Sequence, residues 1–180
     1  MRMTLKILAM IVLTMSVGVF LLSIIFRLNG IYINTTPSFP LGLYKIVNKP
    51  IEQGRYVSFC PPQSAVFELA VARHYINAGD CPGGYGKLLK SVFAQVGDSV
   101  SINQTGIQVN GQLLPNSAQL ELDADGQVLP QYRFNKQRLS AGEYLLLSDI
   151  NPHSFDARYF GLIRRAQIKH VVEPFLTWRS

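Results

Sequence analysis

Cysteine, histidine and tryptophan are scarce in this 180-residue chain, which has two, three and one of them. Two cysteines exclude a disulfide-dense scaffold and most thiolate zinc sites. The histidines, His74, His153 and His170, are scattered, which argues against a zinc site built from them, and nothing else in the pattern asks for a metal or cofactor. Internal repeats and low-complexity segments are also missing. Lys and Arg number 17 against 11 Asp and Glu, a net charge of +6, but Arg2, Lys6 and Arg27 flank the first apolar segment. The remainder is only mildly basic and lacks the concentrated basic face that nucleic-acid binding requires. Hydrophobic residues make up 48% of the chain, too many for disorder. The length suits one domain able to bury a real core.

Charge is absent from Ile7 to Phe26, a run of 20 residues that as a helix matches the roughly 30 Å of a bilayer core. A secretory signal peptide has a shorter apolar region followed by small residues at a cleavage site. Here the run ends in Ile24, Ile25, Phe26 and Arg27, so it reads as an uncleaved signal anchor. The positive-inside rule, applied to Arg2 and Lys6, puts the N-terminus in the cytoplasm and the rest of the chain outside it. The expected organisation is therefore a cytoplasmic N-terminus and anchor over residues 1–28 and one domain over 29–180. Cys60 and Cys81 form an even pair that an oxidising compartment can join, although their spacing does not show whether they come within bonding range.

Beyond the anchor the pattern predicts many short strands. These are Ile31–Ile33, Gly42–Val47, Arg55–Phe59, Leu88–Gln95, Ser99–Asn103, Gly106–Asn110, Gln112–Pro115, Glu143–Ser148 and Gly161–Val172. Asn110-Gly111 is the strongest local hairpin signal. Ala65–Asn77 is the one soluble segment with helical spacing, with Gly79 closing it. Pro82-Gly83-Gly84 and the stretch around Asp123 read as loops. The fold class is mostly β: antiparallel sheets packed together or partly closed as a barrel, with one N-terminal transmembrane helix and one short soluble helix.

Three clusters carry potential chemistry. Ser38 sits between Pro37 and Pro40 on a stiff, non-helical segment that cannot pair fully in a sheet, which suits a rim or cleft position. Taken alone it reads as a turn serine. Lys90 shares a strand face with Leu88 and Val92 by alternation. If that face is buried, desolvation lowers the amine pKa and makes a general base; if the strand is an edge, the lysine merely guards it. Ser154, Asp156 and Arg158 alternate, so an extended stretch would place them on one face, with Asp156 and Arg158 able to pair.

Together the clusters resemble the type I signal peptidases, membrane-anchored Ser/Lys proteases. Ser38-Phe39-Pro40 looks like their nucleophile box. Leu89-Lys90-Ser91-Val92 through Gly97-Asp98 looks like their lysine box, and Ser154-x-Asp156-x-Arg158-Tyr159-Phe160-Gly161 like their third box. Pro40-Leu41-Gly42-Leu43-Tyr44, Cys60-Pro61-Pro62 and Cys81-Pro82-Gly83-Gly84-Tyr85 narrow the resemblance to the TraF-like conjugative-transfer signal peptidases.

The resemblance implies an acyl-enzyme on Ser38 with neutral Lys90 as general base. It implies an oxyanion held by the Ser38 N–H and the Thr36 hydroxyl. Ser154 would orient the amine, and Asp156 with Arg158 would brace that stretch. It also implies a membrane-inserted, pilin-like precursor as substrate and the lipid bilayer and conjugation apparatus proteins as partners. The location would be the bacterial inner membrane, with the catalytic domain in the periplasm. A general preprotein signal peptidase and an inactive anchored scaffold remain open readings, as does, far behind, a triad of His153, Asp156 and Ser38. The 12 residues from Phe26 to Ser38 span at most about 40 Å, which would keep the site near the membrane surface.

Overall fold

The computed structural model describes residues 2–178, so the outermost limits of the expected 1–28 and 29–180 division lie outside the described residues. In chain order the elements are α1 (Arg2–Leu28), β1 (Ile31–Asn34), β2 (Leu41–Val47), β3 (Tyr56–Phe59), α2 (Ala65–Ala72), β4 (Ala78–Cys81), β5 (Leu88–Ala94), β6 (Ser99–Asn103), β7 (Gly106–Val109), β8 (Gln112–Leu113), β9 (Phe134–Arg138), β10 (Glu143–Leu147), α3 (Ala157–Phe160), β11 (Ile163–Arg164) and β12 (Ile168–Trp178).

The chain is mostly β. A seven-stranded antiparallel sheet in the order β1-β2-β12-β3-β5-β10-β11 curls as a half-barrel, and β8-β7-β6-β9 form a second sheet. The predicted β7–β8 hairpin turns at Asn110 and Gly111, both with positive φ (52° and 86°), the geometry of a tight type I′ turn. Two interiors result. The larger contains Val57, Phe59, Phe67, Val92, Leu145–Leu147 and Phe160. A smaller one holds Phe39, Tyr44, Leu89 and Val172. Residues 4–28 of α1 are long and apolar enough to cross a membrane, with a mean hydropathy of 2.6, and none of that window is buried against the rest of the protein. Such a helix fits a membrane anchor or a signal sequence.

Four expectations need correction. The soluble helix ends at Ala72 rather than Asn77, because His74 takes the left-handed conformation (φ 58°). The Tyr75 N–H then reaches back to Ala70 O and the His74 N–H to Val71 O, a Schellman stop closed by histidine, not by Gly79. The segment from Gly161 to Val172 is two strands split by a 3₁₀ turn at Arg165–Gln167, and its second strand runs on to Trp178. Pro174 is tolerated there because β3 pairs only as far as Val172, leaving β12 with β2 alone, in a bulged register. The strands β4 and β9 have no counterpart in the sequence reading. Finally, the Ser154–Arg158 stretch is not extended: Asp156 caps the single-turn helix α3.

The Cys60 and Cys81 sulfurs are joined, with Cα atoms 5.4 Å apart. The bond links the end of β3 to β4, and the Gly86 N–H donates to Asn77 O across the resulting loop. Gly79 packs so closely on Gly86 that an added Cβ would lie 2.6 Å from its Cα. Closing a loop of 21 residues' separation stabilises the fold by about 3 kcal/mol in the chain-entropy picture. Replacing both cysteines with serine is expected to lower the unfolding free energy by about that amount and to expose residues 77–87 to limited proteolysis. Equal electrophoretic mobility of the untreated and reduced protein would contradict the bond.

Candidate active site

After β1 the chain turns through two prolines whose flanking carbonyls cannot all join the sheet. Asn34, 5% exposed, meets them with one side chain. Its Nδ2 donates to the carbonyls of Thr36 (3.1 Å), Phe39 (3.3 Å) and Pro40 (3.2 Å). Its Oδ1 accepts from the Thr36 N–H (3.2 Å) and hydroxyl (2.8 Å). The Tyr44 hydroxyl also donates to Pro40 O (2.8 Å). Phe39 is buried edge-on against Tyr56, their centroids 4.8 Å apart. The carbonyls on either side of Ser38 are held from the far side of the site: Asn151 Nδ2 donates to Pro37 O (3.2 Å) and the Ser148 hydroxyl to Ser38 O. A trans peptide sets its C=O and N–H on opposite sides, so fixing Pro37 O also aims the Ser38 N–H.

Lys90 lies on β5, which is central and flanked by β3 and β10. The edge-strand alternative therefore fails. Val57 is its partner across β3 and its side chain is only 2% exposed. The amine donates to Ser154 Oγ at 2.7 Å and to Ser38 Oγ at 3.0 Å, and the two serine oxygens lie 3.1 Å apart. The three form a closed triangle drawn from three distant parts of the chain. Burial pushes the Lys90 amine down to about 8. Asp156 opposes that fall and Arg158 adds to it.

Asp156 and Arg158 are fully buried and pair bidentately: Arg158 Nε to Oδ1 and Nη2 to Oδ2, both 2.8 Å. The carboxylate also accepts the N–H groups of Arg158 (3.2 Å) and Ser148 (3.1 Å). The guanidinium goes on to the carbonyls of Asn116 (3.0 Å), Pro152 (2.7 Å) and Ser154 (2.9 Å). Burial alone would lower the Arg158 pKa, but the hydrogen bond and charge of Asp156 more than restore it, so the group stays a cation. The pair thus fixes the backbone of Ser154, which touches the lysine, and of Ser148, which holds the Ser38 carbonyl. Below it Phe155 stacks on Tyr159 (5.8 Å), and Phe67 of α2 packs on Phe160 (5.1 Å). Gly161 has φ 78°, and a Cβ there would strike the Tyr132 ring at 2.6 Å.

Ser38 and Ser154 open into a cavity of about 400 Å³ lined further by Thr36, His74, Tyr75 and His153. A second cavity of about 370 Å³ runs between Tyr32–Thr36 and Gly86–Leu89 and shares Thr35, Thr36 and Asn77 with the first as lining residues. The structure brings Ser38, Lys90, Ser154, Asp156 and Arg158 into one network. Thr36 lines the same cavity, but its hydroxyl proton is engaged by Asn34. Cys60 and Cys81 lie apart, in the larger interior. The His153 alternative is not assembled: that histidine lines the cavity while the Asp156 oxygens face Arg158 and Ser148. Among the described residues no group of three or more His, Cys, Asp or Glu is placed to hold a metal ion. Sequence reasoning missed Asn34, Ser148 and Asn151. Asn34 and Asn151 carried a signal, each an Asx-turn former ahead of a proline; Ser148 carried none.

A family model described as "Signal peptidase, peptidase S26" matches residues 2–176. A plasmid transfer protein TraF of Escherichia coli is 50% identical over 149 residues, covering 83% of this chain and 84% of that protein. A probable conjugal transfer protein TraF of Sinorhizobium fredii is 39% identical over 151 residues, covering 83% and 78%. Among solved structures, a signal peptidase I from Enterococcus faecalis aligns with 19% identity and a TM-score of 0.37, over 69% of this chain and 97% of that one. By the family match and its TraF relatives, the chain belongs to the peptidase S26 family of signal peptidases.

Proposed function

We propose that this protein is a membrane-anchored serine endopeptidase in which Ser38 is the nucleophile and Lys90 the general base. The observation that carries the reading is the 3.0 Å approach of a buried lysine amine to the Ser38 hydroxyl. A neutral amine takes the Ser38 proton as Oγ attacks the scissile carbonyl carbon. The resulting ammonium then protonates the leaving nitrogen as the C–N bond breaks, leaving an ester on Ser38. Water gives a proton to Lys90 as its oxygen attacks the ester carbonyl, and that proton passes to Ser38 Oγ as the acyl group leaves. The oxyanion faces the Ser38 N–H, with the Thr36 hydroxyl as second donor once it turns from Asn34. Ser154 orients the amine, while Asp156 and Arg158 hold the segment that carries it.

The substrate on this reading is a precursor protein held extended along the cavity that Ser38 lines. The relatives named for plasmid and conjugal transfer support a pilin-like precursor of a conjugation apparatus. The α1 helix is the anchor and residues 29–180 are the catalytic domain, in the periplasm against the inner membrane. Support for that placement comes from the apolar helix and from the exposed Ile33, Phe175, Leu176 and Trp178, gathered where β1, β2 and the end of β12 pair.

Ser38→Ala and Lys90→Ala are each expected to lower precursor processing by at least about a thousandfold without loss of fold. Wild-type rates in either variant would refute the dyad. Below its pKa the amine carries a proton and cannot accept another, so kcat/KM should rise with pH through a midpoint near 8. A profile centred in the histidine range and abolished by His153→Ala would contradict this. Ser148→Ala removes one hydrogen bond to the Ser38 carbonyl and should cost about tenfold in kcat with the pH midpoint unmoved. A shifted midpoint would show instead that Ser148 acts on the lysine.

A further inference from the structure

One wall of the Ser38 cavity has no part in the reaction derived above. It is made by Leu120, Asp123, Ala124 and Leu129, from the connection between β8 and β9. That connection folds back on itself as a small hairpin. Leu122 pairs with Val128, and the Asp123 and Leu129 N–H groups donate to Gln127 O and Glu121 O, each at 2.9 Å. The Asp123 carboxylate closes the tip, its Oδ1 accepting the N–H groups of Asp125 (2.9 Å) and Gln127 (2.8 Å). Its Oδ2 accepts the Tyr75 hydroxyl. Arg73 approaches the same oxygen at 4.0 Å and donates to Val128 O at 2.8 Å. Both partners come from the segment just beyond α2, where the left-handed His74 turns the chain.

Burial does not hold this tip in place, since Leu122 and Val128 are 51% and 70% exposed. Among the described residues, the hydrogen bonds and ion pairs from residues 122–128 to the rest of the protein all come from Arg73 and Tyr75. The Tyr75 hydroxyl and then the Gln127 N–H hold Asp123 below the usual carboxylate range, so it is an anion wherever Lys90 is neutral. A hydroxyl bonded to an ionised carboxylate belongs to the stronger class of hydrogen bonds. The Tyr75 ring also packs on Phe155, centroids 5.4 Å apart, beside Ser154. On the peptidase reading the leaving nitrogen must come within reach of the Lys90 amine. That amine touches Ser154 as well as Ser38, and Ser154 lines this cavity and not the second. The chain beyond the cut then runs past Ser154 into the space between Tyr75 and the hairpin.

We propose that residues 121–129 form the wall that binds the precursor chain on the leaving side of the cut, and that Tyr75 is the positioning residue that sets this wall through Asp123. The proposal rests on the peptidase reading above and adds to it which part of the substrate is held and which group fixes its holder. A wall free to swing would have to be ordered each time a chain bound. A latch that fixes it beforehand removes that entropic cost, and the difference appears as affinity.

The test uses the full-length chain in detergent micelles and alanine-based peptides whose cleavage is followed by mass spectrometry. The acyl half is held constant, and the leaving half is lengthened one residue at a time and amidated so that no terminal charge varies. In the wild type kcat/KM should rise by about tenfold once the chain reaches the hairpin, with the gain in KM. Tyr75→Phe keeps the ring on Phe155 and removes only the hydroxyl, and in it the ratio of the longest peptide to the shortest should fall to about one. Ala124→Trp leaves the latch in place and obstructs the wall from an exposed position, so the same ratio should fall there too. A ratio of two substrates in one enzyme is insensitive to lost stability or active fraction, so a merely structural role would leave it unchanged. Three results would overturn the proposal and leave the peptidase reading intact. These are cleavage with no gain from length in the wild type, a gain that survives either substitution, and a shifted pH midpoint in Tyr75→Phe, which would show that Tyr75 acts on Lys90 by way of Ser154. Failure to cut any peptide would count against both.

Discussion

A lysine amine held out of water between two serine hydroxyls is the constraint around which this molecule is arranged. An ammonium ion buried at that position would be strongly disfavoured, and the usual remedy is a nearby carboxylate. Asp156 is nearby, but its charge is matched by the guanidinium of Arg158. Of the two influences on Lys90, one raises and the other lowers its pKa, so burial decides the outcome and the proton is lost easily. A buried ion pair is weak evidence for stability in general. Here it orders the backbone of two serines, and its two charges act on the lysine amine in opposite directions.

The rest of the site follows from the need to hold three side chains from distant parts of the chain within about 3 Å of one another. Such precision cannot come from mobile loops, and both loops involved are heavily cross-braced. Asn34 gathers the carbonyls of the proline bend, Ser148 and Asn151 hold the carbonyls beside Ser38, and Arg158 ties the stretch from Pro152 to Ser154. Positioning of this kind is settled during folding, so little reorganisation remains when a substrate arrives.

Two cavities adjoin the site and share Thr35, Thr36 and Asn77 in their walls. One has Ser38 in its wall; the other is lined by the strand before Ser38 and the strand that carries Lys90. Since β1 also follows directly on the apolar helix, that helix and Ser38 fall within one short stretch of polypeptide.

Much of this was legible in the residues themselves. The uncharged run, the period-two strands, the Asn110-Gly111 turn and the three boxes around Ser38, Lys90 and Ser154 are local patterns, and local patterns survive in one dimension. Where the reading went wrong, the backbone departed from what residue type alone suggests. His74 ends α2 in a conformation that sequence would assign to glycine, and Pro174 stays inside a strand because only one neighbour accompanies it there. Whether Lys90 was an edge lysine or a buried base could not be read from alternation, since both strands look alike until their neighbours are known. Asn34 and Ser148 act on carbonyls that come within reach only after folding. The sequence by itself determined which groups could do the chemistry and where the chain could cross a membrane. Only the tertiary structure decided that the amine is buried, because burial belongs to the neighbours that pack around a residue and not to the residue.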